Sequence, residues 1–115
     1  MSSETLFSKI IRREIPATIV YETDKVLAFR DIAPVSATHI LVIPKKPLKD
    51  LAAAGEGDKE ILGELLLACA ELARREGLEE EGYRVVINTG KNGGQTVFHL
   101  HLHLVGGRAF SWPPG

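Results

Sequence analysis

The apolar positions change period several times along the chain, and each period predicts an element. Phe7, Ile10 and Ile11 share one helical face, so a first helix is expected to start near Ser3 and run to Arg13, with its arginines at the C-terminal end and Pro16 closing the unit. Two β-rich runs follow, Thr18 to Glu22 and Val26 to Asp31, and the polar link Thr23-Asp24-Lys25 between them reads as a hairpin turn. After the loop Ala33-Pro34-Val35-Ser36, the continuous apolar run His39-Ile40-Leu41-Val42-Ile43 predicts a strand buried on both faces and stopped by Pro44. From Asp58 to Glu76 the residues Leu62, Leu65, Leu66, Cys69, Leu72 and Ala73 form one helical stripe, and Gly77 suits the helix end. Lys49-Asp50-Leu51 reads as a shorter helix or turn, Tyr83 to Asn88 as a strand, and Val97 to Val105 as the last strand. About five strands and two or three helices, joined by connections mostly too short for parallel crossovers, predict an antiparallel α+β sheet.

Length and composition narrow this reading. The 115 residues fit one domain spanning 1–115, and 44% hydrophobic with 25% charged residues is the balance of a folded globular protein. A net charge of −1 provides no broad field for a polyanion, so neither nucleic acid nor a membrane surface is an expected partner. The single Cys69 cannot form an internal disulfide, and the start of the chain lacks a basic stretch followed by an apolar one. With no apolar run of membrane-spanning length, the expected location is cytoplasmic.

The chemistry concentrates near the end of the chain. On an extended strand His99, His101 and His103 project to one side and Leu100, Leu102 and Leu104 to the other. Backbone spacing of about 6.5 Å between successive imidazoles couples their titration, since protonating one disfavours protonating the next. Such a row can hold one neutral imidazole as a nucleophile beside another that stabilises a phosphate or donates to a leaving group. Glycines in the preceding loop, Gly90 to Gln95, let backbone N–H groups approach a phosphate oxygen. Two other readings stand beside this one. The row is a solvated polar face, or it is a metal site to which His39 adds a ligand from a neighbouring strand. The lack of a Cys-x-x-Cys pair and of acidic residues within the histidine run weighs against metal.

The run His99-Leu100-His101-Leu102-His103-Leu104-Val105 resembles the His-φ-His-φ-His-φ-φ signature of the histidine-triad (HIT) superfamily. The resemblance extends through Phe7-Ser8-Lys9-Ile10-Ile11, Ile15-Pro16, Ala28-Phe29-Arg30-Asp31-Ile32, Thr38 to Lys46 and Gly93 to Phe98. Gly106-Gly107-Arg108 and the ending Trp112-Pro113-Pro114-Gly115 look especially like the Hint branch, purine nucleoside phosphoramidases that are α+β homodimers. This resemblance implies that His101 is the nucleophile, forming a nucleotidyl-histidine that water cleaves to release a nucleoside monophosphate. It also implies that His99 and His103 hold phosphate oxygens and that His39 donates a hydrogen bond to His101. Asn88, Gly94 and Thr96 would surround the α-phosphate and leaving group, Asp31 would accept from the ribose hydroxyls, and Phe7, Ile10, Phe29, Ile32 and Leu41 would line the base pocket. Without the resemblance, Ile10 and Leu41 read as core and Asp31 as a turn residue.

Three departures from that pattern bear on substrate. Thr96 stands where Hint proteins usually carry Ser, and Arg30 where they carry a histidine next to the ribose-binding Asp. The stretch Leu6-Phe7-Ser8 lacks the Cys-x-x-Cys that holds structural zinc in several bacterial relatives, so neither a metal nor another cofactor is expected. His103 stands where the nucleotidyltransferase branch usually has Gln, which makes water the expected acceptor. A dinucleoside polyphosphate hydrolase, disfavoured by the Trp112-Pro113-Pro114-Gly115 ending, and a nucleotide-binding or interaction protein with incidental catalysis remain as alternatives.

Overall fold

The computed structural model describes residues 4–115, so the expected helix start near Ser3 lies outside the described residues. Helix α1 spans Leu6–Ile11; Thr5 caps it by accepting from the Ser8 amide, and the Ser8 hydroxyl accepts from the Thr5 amide in return. It is followed by β1 (Ile19–Glu22), β2 (Val26–Arg30) and β3 (Thr38–Pro44), then by 3-10 turns at Leu51–Ala53 and Glu56–Asp58. Helix α2 (Lys59–Arg75), β4 (Tyr83–Ile87) and β5 (Leu102–Gly106) complete the chain. All neighbouring strands run antiparallel in the order β1-β2-β3-β5-β4, the open α+β sheet expected from the pattern.

The strands divide their side chains between two cores. Even-numbered residues of the central strands, Val26, Ala28, Ile40, Val42, Leu102 and Leu104, face α2, where they meet Leu65, Cys69, Leu72 and Ala73. Odd-numbered Leu27, Phe29, Leu41 and Ile43 face the other way, under Phe7 and Ile10 of α1. Every residue of β3 is buried, as the unbroken apolar run requires, and Pro44 closes it as the last strand residue. On α2 the buried stripe includes Ala68, whereas Leu66 is half exposed and lies outside the stripe assigned from the periodicity.

The largest departure from the expected elements is the last strand. Ladder pairing begins at Leu102, so Val97 to His101 are not strand and the His row is not one regular ribbon. Leu100 nevertheless reaches the α2 core, its amide donating to the Leu48 carbonyl at 2.7 Å. The other end of β5 is fixed by close packing. Helix α2 ends in a Schellman turn: Gly77, at φ +72°, donates to Arg74, and Leu78 donates to Ala73 and enters the core. Leu78 then lies so close to Gly106 that a β-carbon there would fall 2.7 Å from its Cδ1. Because Leu78 is buried and cannot swing aside, Gly106→Ala is expected to destabilise the fold by about 1–3 kcal/mol. Thermal unfolding checks this, and an unchanged Tm would show that Leu78 repacks freely.

Candidate active site

The odd-numbered face carries the chemistry. Asp31 follows β2, His39 lies on β3 and His103 on β5, all on the side opposite α2. His39 Nε2 stands 2.9 Å from His103 Nδ1 and 3.4 Å from Asp31 Oδ2. The His101 and His103 rings are 5.0 Å apart, and the Phe7 ring meets His101 edge-on, also at 5.0 Å.

The hydrogen-bond partners assign a tautomer to each imidazole. A backbone amide can only donate, so the Val35 N–H, 3.2 Å from His39 Nδ1, leaves that nitrogen unprotonated and puts the His39 proton on Nε2. That proton is donated to His103 Nδ1, which leaves the His103 proton on Nε2. A carbonyl can only accept, so His101 donates from Nδ1 to the His99 carbonyl at 2.7 Å, and its Nε2 keeps a free lone pair. His99 donates from Nε2 to the Pro44 carbonyl, again at 2.7 Å. The outcome is one bare imidazole nitrogen on His101 beside a ring, His103, whose outer nitrogen is a donor.

Burial keeps the rings of His99, His101 and His103 neutral. Desolvation lowers the pKa of His99 and of His101, against the opposing pull of their backbone acceptors, and for His101 also of the Asp31 charge. The pKa of His103 is pushed down to about 4 by desolvation first and then by its neighbours His101 and His39. A neutral imidazole is the state a nucleophile needs.

A cavity of about 250 Å³ opens in front of His101 and His103. Phe7, Ile10, Phe29 and Leu41 form apolar walls, with Asp31 and Thr96 at polar positions. Ile32 also lines it yet is 96% exposed, as an apolar side chain at the mouth is until something covers it. Ile15, Pro16, Ala17 and Val97 line the cavity too and were not assigned to a site from the sequence; the Ile15-Pro16 pair was visible only as part of the resemblance. A larger groove of about 710 Å³ adjoins it, sharing Leu6, Thr96 and Val97 and continuing past Lys49 and the half-exposed Phe98.

Four expected site residues do not line this cavity. His39 bonds to His103 and not to His101, because β3 places it across the ladder behind His103 and the His101 Nδ1 proton is already given to the His99 carbonyl. His99 lines the adjoining groove and not the cavity itself, with its Nε2 proton committed to Pro44, and its own carbonyl orients His101. Asn88 spends its amide on the Gly93 carbonyl at 2.7 Å, and neither Asn88 nor Gly94 lines the cavity. Buried Gln95, which no sequence signal singled out, braces the glycine loop by accepting from the Gly90 amide and donating to the Lys49 and Val97 carbonyls.

The same cluster contains a possible ligand set. His39, His103 and Asp31 each offer one atom, all within 4.8 Å of one another, and two imidazoles with a carboxylate suit a divalent transition metal. A metal would have to displace the proton that now joins His39 to His103.

Depressed imidazole pKa values fix the sign of a pH effect. Below about 6.5 an unfolded histidine takes a proton that the buried rings refuse, so stability falls as pH drops from there towards about 4. If neutral His101 is the reactive form, kcat/KM stays level through pH ~6.5 and declines only at lower pH. Thermal unfolding and a pH–rate profile check the two expectations, and an acid limb above pH ~6.5 would contradict the second.

The HIT domain family matches residues 12–110. An uncharacterized HIT-like protein of Synechococcus elongatus is 61% identical over 115 residues, covering the whole of both chains. A maize protein named as a 14 kDa zinc-binding protein is 58% identical, covering 98% of this chain and 89% of its own. Among solved structures, a HIT family hydrolase of Legionella pneumophila superposes with a TM-score of 0.95 at 50% identity, covering 97% of this chain and all of the other. The chain belongs to the HIT domain family.

Proposed function

We propose that this HIT protein hydrolyses purine nucleoside 5′-phosphoramidates through a covalent nucleotidyl-His101. The observation that carries the reading is the unprotonated Nε2 of His101, which shares a cavity with His103 and Asp31 and is oriented by the His99 carbonyl. Its lone pair forms a bond to the α-phosphorus while the P–N bond breaks and the amine leaves with a proton taken from solvent. Water then attacks the same phosphorus and returns a proton to solvent, the bond to His101 breaks with its electron pair going back to Nε2, and a nucleoside monophosphate is released. His103, with a proton on Nε2, donates to a phosphate oxygen as charge develops. Asp31 accepts from the ribose hydroxyls, and the purine lies against Phe7, Phe29 and Leu41, with Ile32 covered on binding. The adjoining groove gives a leaving group room beyond Thr96. On this reading we assign the protein to the Hint branch and to the cytoplasm.

We propose further that it acts as a homodimer. Among the described residues β4 pairs only with β5, and Tyr83 and Val86 stand exposed along it, an edge a second copy would cover. Sedimentation at micromolar concentration is expected to show a dimer, and a monomer would contradict this.

One observation favours a second reading. The Asp31, His39 and His103 atoms could take zinc, and the maize relative is named for zinc binding. Turnover of adenosine 5′-phosphoramidate with chelator present separates the two. AMP release is expected to persist with chelator and to fall by at least about 10³-fold in His101→Ala. Loss of activity on chelation would put the metal reading in its place. Faster cleavage of a diadenosine polyphosphate than of the phosphoramidate would move the chain to a sister branch of the family.

A further inference from the structure

Glu76 is the wrong residue for its local position. It is the C-cap of α2, where the helix dipole is negative and a carboxylate is disfavoured. Its compensation is tertiary. Arg30 grips it with two parallel bonds, Nη1 to Oε1 at 3.0 Å and Nη2 to Oε2 at 3.1 Å, and the Thr38 hydroxyl donates to Oε1 at 3.2 Å. The guanidinium first, with help from Thr38, holds the Glu76 carboxyl below its ordinary range, so the pair is ionised at neutral pH.

The two residues so held are the sequence neighbours of Asp31 and His39. Arg30 and Thr38 project from the α2 face of the sheet, and Asp31 and His39 from the opposite face, with the Asp31 amide donating to the His39 carbonyl at 2.9 Å. One carboxylate therefore ties together, from behind, the ends of two strands whose next residues meet in the site. The Schellman turn at Gly77 fixes where Glu76 points, since Leu78 is locked in the core beyond it.

We infer that Glu76 is a positioning residue: with Arg30 and Thr38 it sets the spacing of Asp31 and His39, and through Asp31 it sets how strongly the site prefers ribose over 2′-deoxyribose. The second clause rests on the nucleotide reading above; the first stands on the contacts alone. Arg30 also borders the cavity beside Phe29 and Asp31, whereas Glu76 and Thr38 do not, so loosening the clamp at Glu76 leaves the apolar walls intact and weakens ribose recognition without weakening base binding.

The test compares Glu76→Ala, Arg30→Glu and the exchanged pair Arg30→Glu with Glu76→Arg. Affinity for AMP and for 2′-deoxy-AMP is measured by calorimetry, and the His39 ring N–H is followed by NMR. Glu76→Ala is expected to weaken AMP about tenfold while changing 2′-deoxy-AMP less than about twofold, and the exchanged pair to restore most of the preference. The His39 Nε2 proton, held to His103 in the native chain, is expected to exchange faster with solvent in Glu76→Ala. Equal losses for both nucleotides, or an unchanged preference and unchanged His39 exchange with only a lower Tm, would overturn the inference. Should the native chain bind neither nucleotide, the nucleotide reading fails, and the His39 signal alone decides whether Glu76 positions the pair. If Glu76→Ala does not fold, Glu76→Gln, which keeps an acceptor for Thr38 and one leg of the Arg30 fork, is read in the same way.

Discussion

The hydrogen bond from His101 Nδ1 to the His99 carbonyl is the constraint around which the last third of the chain is arranged. A carbonyl in a ladder is directed at the neighbouring strand and is not available to a side chain two residues further on. For His99 to serve His101, the backbone has to leave the ladder before Leu102, and it does. The amides and carbonyls so released are satisfied elsewhere: the Leu100 amide goes to Leu48, and the Val97 carbonyl accepts from Gln95. The glycine loop and the backbone at Lys49, joined by the buried Gln95, are the scaffold that makes a non-ladder segment rigid enough to aim an imidazole.

This also explains what the sequence conveyed and what it did not. The alternation His-Leu-His-Leu-His places leucines in one core and His101 and His103 on the other side, and that survives because Leu100 still packs under α2. The alternation carries no information on where ladder pairing stops, since that is decided by which backbone groups the side chains claim. The helix stripe of α2 was legible for the same reason that the β3 run was: both are set by burial. Leu66 was misplaced because it sits at the margin of the stripe, where periodicity alone does not separate core from solvent. Of the candidate site, the structure brings Phe7, Phe29 and Leu41 together in one cavity wall. The partner of His39 was out of reach, because it depends on the register between β3 and β5, which pairs Leu41 with His103 and sets His39 diagonally across from it.

Histidine tautomers ordinarily have to be inferred from soft partners that can exchange roles. Here each tautomer traces to a backbone group with one role: the Val35 amide, which only donates, sets His39 and through it His103, while the His99 and Pro44 carbonyls, which only accept, set His101 and His99 separately. No charged residue has to hold the protonation. Asp31 is then left free of that duty: one oxygen accepts from the Ala33 amide, and the other stands near His39 at the cavity wall. A carboxylate used to fix a tautomer would be tied up in doing so; this one keeps acceptor capacity for a ligand.

The division of the sheet into two faces gives the protein separate means of holding the fold and shaping the site. Helix α2 buries the larger cluster, and nothing in that cluster lines the cavity. Phe7, Ile10, Phe29 and Leu41 on the opposite face belong both to the smaller core and to the cavity wall, so a substitution there changes packing and site together. Phe7 is the extreme case, since its ring meets Phe29 at 5.4 Å and His101 at 5.0 Å. Ile32, by contrast, is almost wholly exposed and contributes little to the folded core, so it can vary with the ligand at small cost in stability. Variation in what the site accepts is therefore cheapest at the mouth and at Thr96, which is exposed where cavity and groove meet, and most expensive beneath the nucleophile.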